Sequence, residues 1–295
     1  MIVPNLNTSR LLYSTIRIIA HDAEGRESYG TAFFFEFDAD GYGDENCVPI
    51  LVTNKHVVSG ATDIMFLVHE SSEDESVPKG TSFDIKIADN ENTDGIERLW
   101  INHPGDVDLC VMPIEQLKRA GLSLGKKFFY VPFLEKMLPT EEKLSYLTAM
   151  EDIIMMGSPI GLWDTINNFP LLRRGMTASH PAIDFGGRPE GVIDIAAFPG
   201  SSGSPIIISK QIAFSDTNGQ AYLDHNFTLL GILYAGPQFQ ADGTIRVVDI
   251  PTAMTPIAST MIPAHLGFYI KATELLEIKK VMFSGPFHGI KFVGS

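Results

Sequence analysis

Cysteine is nearly missing from this sequence. Cys47 and Cys110 are the only two in 295 residues, too few for the disulfide framework of small secreted domains. Cys110 lies in the apolar run 109–112, where a small buried thiol is ordinary core packing. A chain of this length buries enough surface to fold without covalent staples. We therefore expect two reduced thiols.

Basic residues are also few. Lysine and arginine number 22 against 36 aspartates and glutamates, which gives a formal net charge of −14. Acidic residues concentrate in segments such as 38–45 and 70–75, and no basic stripe opposes phosphate groups. Because nucleic-acid binding depends on such a stripe, the sequence predicts no nucleic-acid partner.

Long hydrophobic runs are missing as well. The polar residues Asn5, Asn7, Arg10 and Arg17 interrupt the apolar residues near the start of the sequence, so no secretory pattern is found. No later run approaches the length that crosses a bilayer. The sequence predicts no membrane association and a cytoplasmic location.

Internal repeats and low-complexity segments are likewise not found. Apolar residues make up 44% of the chain, with 26 glycines and 18 prolines, and β-branched and aromatic residues occur in short runs. This composition is typical of a mainly β globular protein with one large or two medium domains.

Short alternating or apolar runs predict about six strands in each half of the chain. Such a pattern suits an all-β fold of two six-stranded antiparallel β-barrels. The strands are predicted at 10–21, 30–37, 50–54, 62–68, 82–88 and 97–102, then at 152–156, 171–178, 192–197, 206–208, 228–234 and 244–250. The expected domains are a first barrel over 1–120, a linker over 121–150, a second barrel over 151–272, and a C-terminal helix and tail over 273–295.

Helical signals lie outside the predicted barrels. They occur at 115–120 and 140–150, and again at 273–282 near the C-terminus. In this last helix, Leu275, Leu276, Ile278 and Val281 are expected to pack on the body of the protein.

The most informative stretch is a turn within residues 194–208. Pro199 fixes the backbone and Gly200 frees it, while Gly203 lets another segment of chain approach closely. A backbone bent in this way points several N–H groups into one concavity. Such a nest binds an oxyanion, and the Ser202 hydroxyl beside it is a candidate nucleophile. An ordinary Ser/Gly hairpin loop explains the stretch equally well.

Two other polar sites lie where predicted strands begin or end. His56 follows the strand at 50–54, although a lone histidine is more often structural. Asp106 and Asp108 precede an apolar strand, where a carboxylate needs a partner. An imidazole would serve, and so would a local turn.

One acidic segment superficially resembles a calcium loop. It begins at Asp38, but Pro49 stands where a bidentate glutamate is needed. We interpret the segment as a solvated turn and expect no metal and no other cofactor.

Taken together and in order, three segments resemble those of the chymotrypsin-like serine proteases. They read Thr53-Asn-Lys-His56, Asp108-Leu-Cys-Val111 and Gly200-Ser-Ser-Gly-Ser-Pro205. The resemblance is to the bacterial trypsin-like group related to HtrA, without its PDZ domain, and it covers about residues 12–272. It implies two six-stranded β-barrels with a cleft between them.

The resemblance also implies roles for individual residues. His56 would take the proton of Ser202 and return it to the leaving amine, while Asp108 holds the imidazole tautomer. Asp106 is the alternative acid if the register slips. The N–H groups of Gly200 and Ser202 would form the oxyanion hole.

Substrate recognition follows from the same resemblance. An extended peptide would pair with the strand at Tyr234, Ala235 and Gly236. The primary specificity position, six residues before the nucleophile, is Ala196. With no acid there, the pocket should prefer a small or medium apolar side chain.

Two residues depart from the family pattern. Ser201 stands where chymotrypsin-type zymogens have an aspartate that pairs with a newly cut N-terminus, so we expect no zymogen cleavage. Ser204 stands where glycine is usual, and its side chain is expected to crowd the neighbouring barrel.

The leading hypothesis is therefore a serine endopeptidase acting on proteins or peptides. The second is a catalytically silent or partner-activated peptide-binding module of the same fold, and the third is hydrolysis of esters or other acyl substrates. Control by a regulatory protein partner or by homo-oligomerisation is a further hypothesis, with the loop 69–80 and the C-terminal helix as contact surfaces.

Overall fold

The computed structural model of the protein describes residues 8–38, 47–88, 96–159, 162–215, 221–244, 257–263 and 265–284. Most of them lie in β-strands, and the helices are short. The α-helices are α1 (Lys55–Val58), α2 (Glu115–Ser123), α3 (Glu141–Ser145) and α4 (Leu275–Ser284). Short 3-10 helices lie at Thr8–Tyr13, Ile96–Leu99, Glu135–Met137 and Ala272–Glu274. None of the helices in these ranges is long and apolar enough to cross a membrane.

The first half of the chain forms an antiparallel sheet extended by two short strands. Its main strands are β1 (Thr15–Asp22), β2 (Glu27–Asp38), β3 (Cys47–Thr53), β4 (Ala61–Ser71), β5 (Pro78–Ala88), β6 (Ile101–Asn102) and β7 (Cys110–Pro113). They are ordered β5-β4-β1-β2-β3-β7-β6, and the short strands β8 (Phe128–Phe129) and β9 (Phe133–Leu134) pair with β4 and β2.

The second half forms a closed barrel of six strands. These are β10 (Asp152–Gly157), β11 (Leu171–Thr177), β12 (Glu190–Asp194), β13 (Pro205–Ser215), β14 (Ala221–Ala235) and β17 (Gly267–Lys271). A separate two-stranded antiparallel sheet consists of β15 (Gln238–Thr244) and β16 (Ile257–Pro263). The predicted all-β, chymotrypsin-like class with a C-terminal helix is confirmed.

Strand β2 joins the two halves through its alternating side chains. Phe33, Phe35 and Phe37 enter one buried cluster, whereas Ala32 and Phe34 enter another, as expected for residues that face opposite sides of a strand. The first cluster also contains Ile207, Leu229 and Ile232 of the second barrel and Leu275, Ile278 and Met282 of α4. The two halves therefore share a hydrophobic core, and the site described below lies where they meet.

Some predicted elements differ from the structure. Residues 96–99 form a 3-10 helix because the Trp100 N–H bonds to the Glu97 carbonyl at 3.0 Å, and only Ile101–Asn102 pair as a strand. Helix α3 ends at Ser145, before the predicted 150, since the Thr148 N–H donates to the Glu151 carboxylate at 2.7 Å instead of to a helical carbonyl.

Other boundaries are also corrected. Strand β12 ends at Asp194, the last residue that pairs with β11, so 195–197 leave the sheet to begin the serine turn. Val281 of α4 is 38% exposed, because it lies off the face that buries Leu275, Ile278 and Met282. Of the predicted strand 244–250, only Thr244 is described, as the end of β15, while residues 245–250, the segment 39–46 and the tail after Ser284 lie outside the described residues.

A buried histidine gives the fold a pH dependence. His69 on β4 is 4% exposed and packs on Tyr13 and Phe169, with ring centroids 4.7 and 5.6 Å away. Burial lowers the pKa of His69 from 6.5 to about 4. Between these two pKa values, His69 is protonated in the unfolded chain but stays neutral in the folded protein. The free energy of unfolding therefore falls as the pH falls.

We expect about 3 kcal/mol of unfolding free energy to be lost at His69 between pH 6.5 and 4, from the shift in its pKa. Urea unfolding at several pH values checks this against His69→Phe, which keeps the ring and removes the titrating group. An equal acid slope in both proteins would contradict the prediction.

Candidate active site

His56 and Asp108 meet because the strands that carry them are neighbours. Strands β3 and β7 are antiparallel and pair Thr53 with Cys110, so the residues just after β3 lie beside those just before β7. The chain turns into α1 at Asn54, whose Nδ2 donates to the Asp108 carbonyl at 2.8 Å. The helix then presents His56 to the Asp108 side chain.

Two hydrogen bonds join this pair. The His56 backbone N–H donates to Asp108 Oδ1 at 3.0 Å, and His56 Nδ1 lies 2.5 Å from Asp108 Oδ2. Since an ionised carboxylate only accepts, Nδ1 carries the proton and Nε2 is left as the basic nitrogen. The imidazole side chain is 49% exposed and therefore open to a substrate.

Asp108 is held in its charged form. Burial acts to raise its pKa, but the hydrogen bond and charge of His56, together with the N–H groups of His56 and Lys55, outweigh burial and lower the pKa of Asp108 below its usual range. Asp106, the alternative acid, is exposed and makes no hydrogen bond with His56 in the described structure. The geometry thus favours Asp108 as the partner of His56.

Ser202 is the second residue of the second of two consecutive β-turns, 198–201 and 201–204. The Ser201 N–H donates to the Phe198 carbonyl at 3.0 Å, and the Ser204 N–H donates to the Ser201 carbonyl at 3.0 Å. The third residue of each turn is a glycine with positive φ, +86° at Gly200 and +85° at Gly203. This is the type II geometry, which requires glycine at that position.

The turns leave two backbone donors beside the serine. Within the described ranges, neither the Gly200 N–H nor the Ser202 N–H donates to a protein acceptor. Free N–H groups adjacent to a hydroxyl are what an oxyanion hole requires.

Thr31 on β2 ties the serine turn to the first sheet. Its N–H donates to the Ser202 carbonyl at 2.8 Å, and its Oγ1 donates to the Gly200 carbonyl at 2.9 Å. The Ser158 N–H in turn donates to Thr31 Oγ1 at 3.2 Å. The element that supports the serine therefore comes from the same sheet as His56 and Asp108.

The series of hydrogen bonds from Ser202 through His56 to Asp108 is incomplete. No hydrogen bond joins the Ser202 hydroxyl to His56 among the described residues, in contrast to the close His56–Asp108 pair. Such contacts often tighten only when substrate binds.

Ser204 fits where crowding was expected. It is fully buried, and the space beside it is left by Gly157 at the end of β10. A Cβ on Gly157 would lie 2.1 Å from Ser204 Oγ and 2.8 Å from Thr31 Oγ1. The second barrel accommodates a serine at this position, next to Thr31 of the first sheet, because residue 157 has no side chain.

This fit predicts that Gly157 and Ser204 are energetically coupled. Gly157→Ala should destabilise the protein by about 2 kcal/mol through overpacking. Adding Ser204→Gly should recover about 1 kcal/mol, since it removes the nearest clash. Urea unfolding of both single variants and the double variant measures the coupling, and strictly additive effects would argue against it.

The residues expected to bind substrate lie beside the serine turn. Ala196 is 7% exposed. Tyr234 lies at a bulge, because the pairing of β14 with β17 passes from Leu233 to Ala235. A Cβ on Gly236 would lie 2.4 Å from the Ala197 Cβ, so the space between these segments is narrow.

Two supporting residues had no assigned role in the sequence analysis. Asn54 lies in the same motif as His56, and Thr31 lies in the run 30–34. Neither residue type signals its function, since the bonds they make depend on partners 54 and more than 160 residues away in sequence. Among the described residues, no group of three His, Cys, Asp or Glu side chains is arranged to hold a metal ion.

The first sheet, the closed second barrel and the junction between them have the fold of the chymotrypsin-like serine proteases. No protein-family model and no curated protein matches the chain. Among solved structures, it is similar to the HtrA-type protease AlgW with tripeptide, at 17% identity and a TM-score of 0.47 over 93% of this chain and 61% of that one. The chain thus spans less than two thirds of the length of AlgW.

Two other solved structures are similar over their whole length. One is a thermostable serine protease, AL20, from an extremophilic microorganism, at 10% identity and a TM-score of 0.44 over 94% of this chain and 100% of that one. The other is a scabies mite inactivated protease paralogue, S-I1, at 10% identity and a TM-score of 0.42 over 94% and 97%. At these identities, the roles of residues in this chain depend on its own geometry.

Proposed function

We propose that the protein is a serine endopeptidase that cleaves peptide bonds through Ser202, His56 and Asp108. The observation that carries this proposal is the His56–Asp108 pair, whose Nδ1–Oδ2 distance is 2.5 Å, on the same sheet that binds the carbonyl of Ser202. A serine hydroxyl needs a positioned base to become a nucleophile, and this pair supplies one at the junction of the two halves.

The reaction proceeds in two acyl-transfer steps. His56 Nε2 takes the Ser202 proton as Oγ attacks the substrate carbonyl carbon, and the Gly200 and Ser202 N–H groups stabilise the negative oxygen. The imidazolium, stabilised by Asp108, gives its proton to the leaving amine. Water then attacks the acyl-enzyme by the same route, which releases the acid and restores Ser202.

The proposed substrate is an extended peptide with a small or medium apolar residue before the cleaved bond. The bulge at Tyr234 supports strand-like binding, because this residue is skipped by the pairing with β17 and leaves backbone groups for a peptide. The close approach of Gly236 to Ala197, with Ala196 nearby, favours a small side chain over a long basic one.

A second candidate is a silent or partner-activated peptide-binding module of the same fold. It is favoured by one observation, the missing hydrogen bond between Ser202 and His56 in the described structure. In that case the site would hold peptides without cleaving them until a partner closes the serine–histidine contact.

A fluorophosphonate probe tests the proposal. We expect the native protein to be labelled on the tryptic peptide that contains Ser202, identified by mass spectrometry, and the heat-denatured protein to remain unlabelled. Paired peptide and ester substrates then separate a peptidase from an esterase. A folded protein that resists the probe and cleaves neither substrate would favour the silent module.

A further inference from the structure

Arg173 lies under the turn that carries the proposed oxyanion hole. It is the third residue of β11, on the strand face that also holds Gly175. A Cβ on Gly175 would lie 2.2 Å from the Ile195 side chain and 2.5 Å from the Asp194 carbonyl, so this face of β11 abuts the start of the serine segment. Two residues earlier on the strand, the longer side chain of Arg173 reaches further along that segment.

The guanidinium makes two contacts with the segment. Arg173 Nη2 donates to the Ala196 carbonyl, and Cζ lies 5.3 Å from the centre of the Phe198 ring. A planar guanidinium is suited to this combination of a directional hydrogen bond and stacking on an aromatic ring. One side chain therefore holds both the backbone of Ala196 and the ring of Phe198.

The charge of Arg173 has no carboxylate partner within the described ranges. Its Nη1 is buried there without a hydrogen bond, and burial lowers the pKa of the guanidinium. Lys271, another part-buried cation of this acidic protein, is paired with Asp184. Arg17 resembles Arg173, because it lies over an aromatic ring, that of Trp163, and forms no ion pair within the described residues. Holding an unpaired cation away from water opposes folding, so packing alone gives no reason for an arginine here.

Phe198 connects Arg173 to the oxyanion donors. The Phe198 carbonyl accepts the Ser201 N–H and closes the turn 198–201, in which Gly200 has its φ of +86°. Ser201, which stands in place of the zymogen aspartate, is 1% exposed and its Oγ has no hydrogen-bond partner in the described structure. The turn is therefore not anchored by the residue that anchors it in zymogen-type enzymes.

We propose that Arg173 is the positioning residue of this turn, which holds Ala196 and Phe198 so that the Gly200 N–H stays available to the reacting oxygen. The inference rests on the proposed function. It adds the residue that keeps the oxyanion hole formed where zymogen-type enzymes use an aspartate paired with a newly cut N-terminus. Arg173 touches neither substrate nor the reacting atoms. Its effect should be much larger on the stabilisation of the transition state than on substrate binding, to which Ala196 is proposed to contribute.

The test compares Arg173→Met, Arg173→Lys and Arg174→Met with the wild-type full chain. Arg174 is the matched control, because it is the next residue on β11, its side chain is 75% exposed and it pairs with Asp152 on the outside of the barrel. We expect Arg173→Met to lower kcat and the fluorophosphonate labelling rate by about 10- to 100-fold, somewhat less than loss of an oxyanion donor itself, with KM within about twofold.

Two further measurements separate positioning from a general structural role. Added methylguanidinium should partly restore the labelling of Arg173→Met, whereas Arg173→Lys should stay impaired because an ammonium lacks the planar fork. The Ser201 N–H, protected by its bond to Phe198, should exchange with solvent faster in Arg173→Met than in Arg174→Met.

The outcomes distinguish the two proposals. If the wild-type protein is never labelled, the proposed function fails, and exchange at Ser201 still decides whether Arg173 holds the turn. If the wild-type protein is labelled and Arg173→Met matches it in labelling rate and in Ser201 exchange, the role of Arg173 is overturned and the proposed function stands.

Discussion

Ser202→Ala is expected to lower kcat for a peptide or ester substrate by about a million-fold, and Asp108→Asn by about ten-thousand-fold. The first change removes the nucleophile. The second leaves an amide where Nδ1 of His56 now meets a carboxylate at 2.5 Å, so the imidazole loses the partner that fixes its tautomer and stabilises its cation. Residues that act as a unit are not additive, so the double variant should be no slower than Ser202→Ala alone.

Asp106→Asn is the matched control for this cycle. Asp106 is two positions away from Asp108, is exposed, and makes no hydrogen bond with His56 in the described structure. The activity of Asp106→Asn should therefore equal that of the wild type. Circular dichroism of each variant confirms that the fold is retained. Full activity in Asp108→Asn together with loss in Asp106→Asn would mean that the register of the acid has been assigned wrongly.

The sequence was most informative where residue type and local pattern coincide. The run of β-branched and aromatic residues at 30–37 predicted a strand, and β2 (Glu27–Asp38) contains that run, with side chains buried on both of its faces. The serine stretch predicted a turn in which Gly200 frees the backbone and Gly203 lets another segment approach closely. Gly200 has a φ of +86°, and a Cβ on Gly203 would lie 1.9 Å from the Thr31 carbonyl oxygen. In each case the information lies within a few neighbouring residues.

Contacts between distant segments could not be derived in this way. The pairing of β8 and β9 with the first sheet depends on tertiary neighbours that no local pattern encodes. The 3-10 helix at 96–99 also has such a contact, since the distant Gly60 N–H donates to the Glu97 carboxylate at 3.0 Å. The fit of Ser204 against Gly157 joins residues 47 positions apart, and in sequence it appeared only as a departure from a family pattern.

Arg173 illustrates the same limit. In sequence it is one of two adjacent arginines on a predicted strand, and nothing distinguishes it from Arg174. Because side chains alternate along a strand, one arginine side chain must face the inside of the barrel and the other the outside. Only the register of β11 and the position of the Ala196 carbonyl determine which one faces inward. Its proposed role therefore follows from the fold.

Gly203→Ala is expected to destabilise the protein by roughly 2 to 5 kcal/mol, because it combines backbone strain with overpacking of about 1 to 3 kcal/mol. The residue has a φ of +85°, which strains any residue with a Cβ by about 1 to 2 kcal/mol. The added Cβ would also lie 1.9 Å from the Thr31 carbonyl oxygen and 2.6 Å from Thr53 Oγ1. The backbone at Thr31 cannot move away without disrupting the hydrogen bond from the Thr31 N–H to the Ser202 carbonyl, which is 2.8 Å long.

Gly187→Ala separates the two penalties. Gly187 has a φ of +75°, but a Cβ there would meet nothing within 4 Å, so this variant carries backbone strain alone and should cost about 1 to 2 kcal/mol. The difference between the two variants in urea unfolding is then the cost of forcing the serine turn away from the first sheet. Equal costs would mean that the junction relaxes freely. In that case the bonds from Thr31 would not hold Ser202 near His56, and the proposed site would lose its structural support.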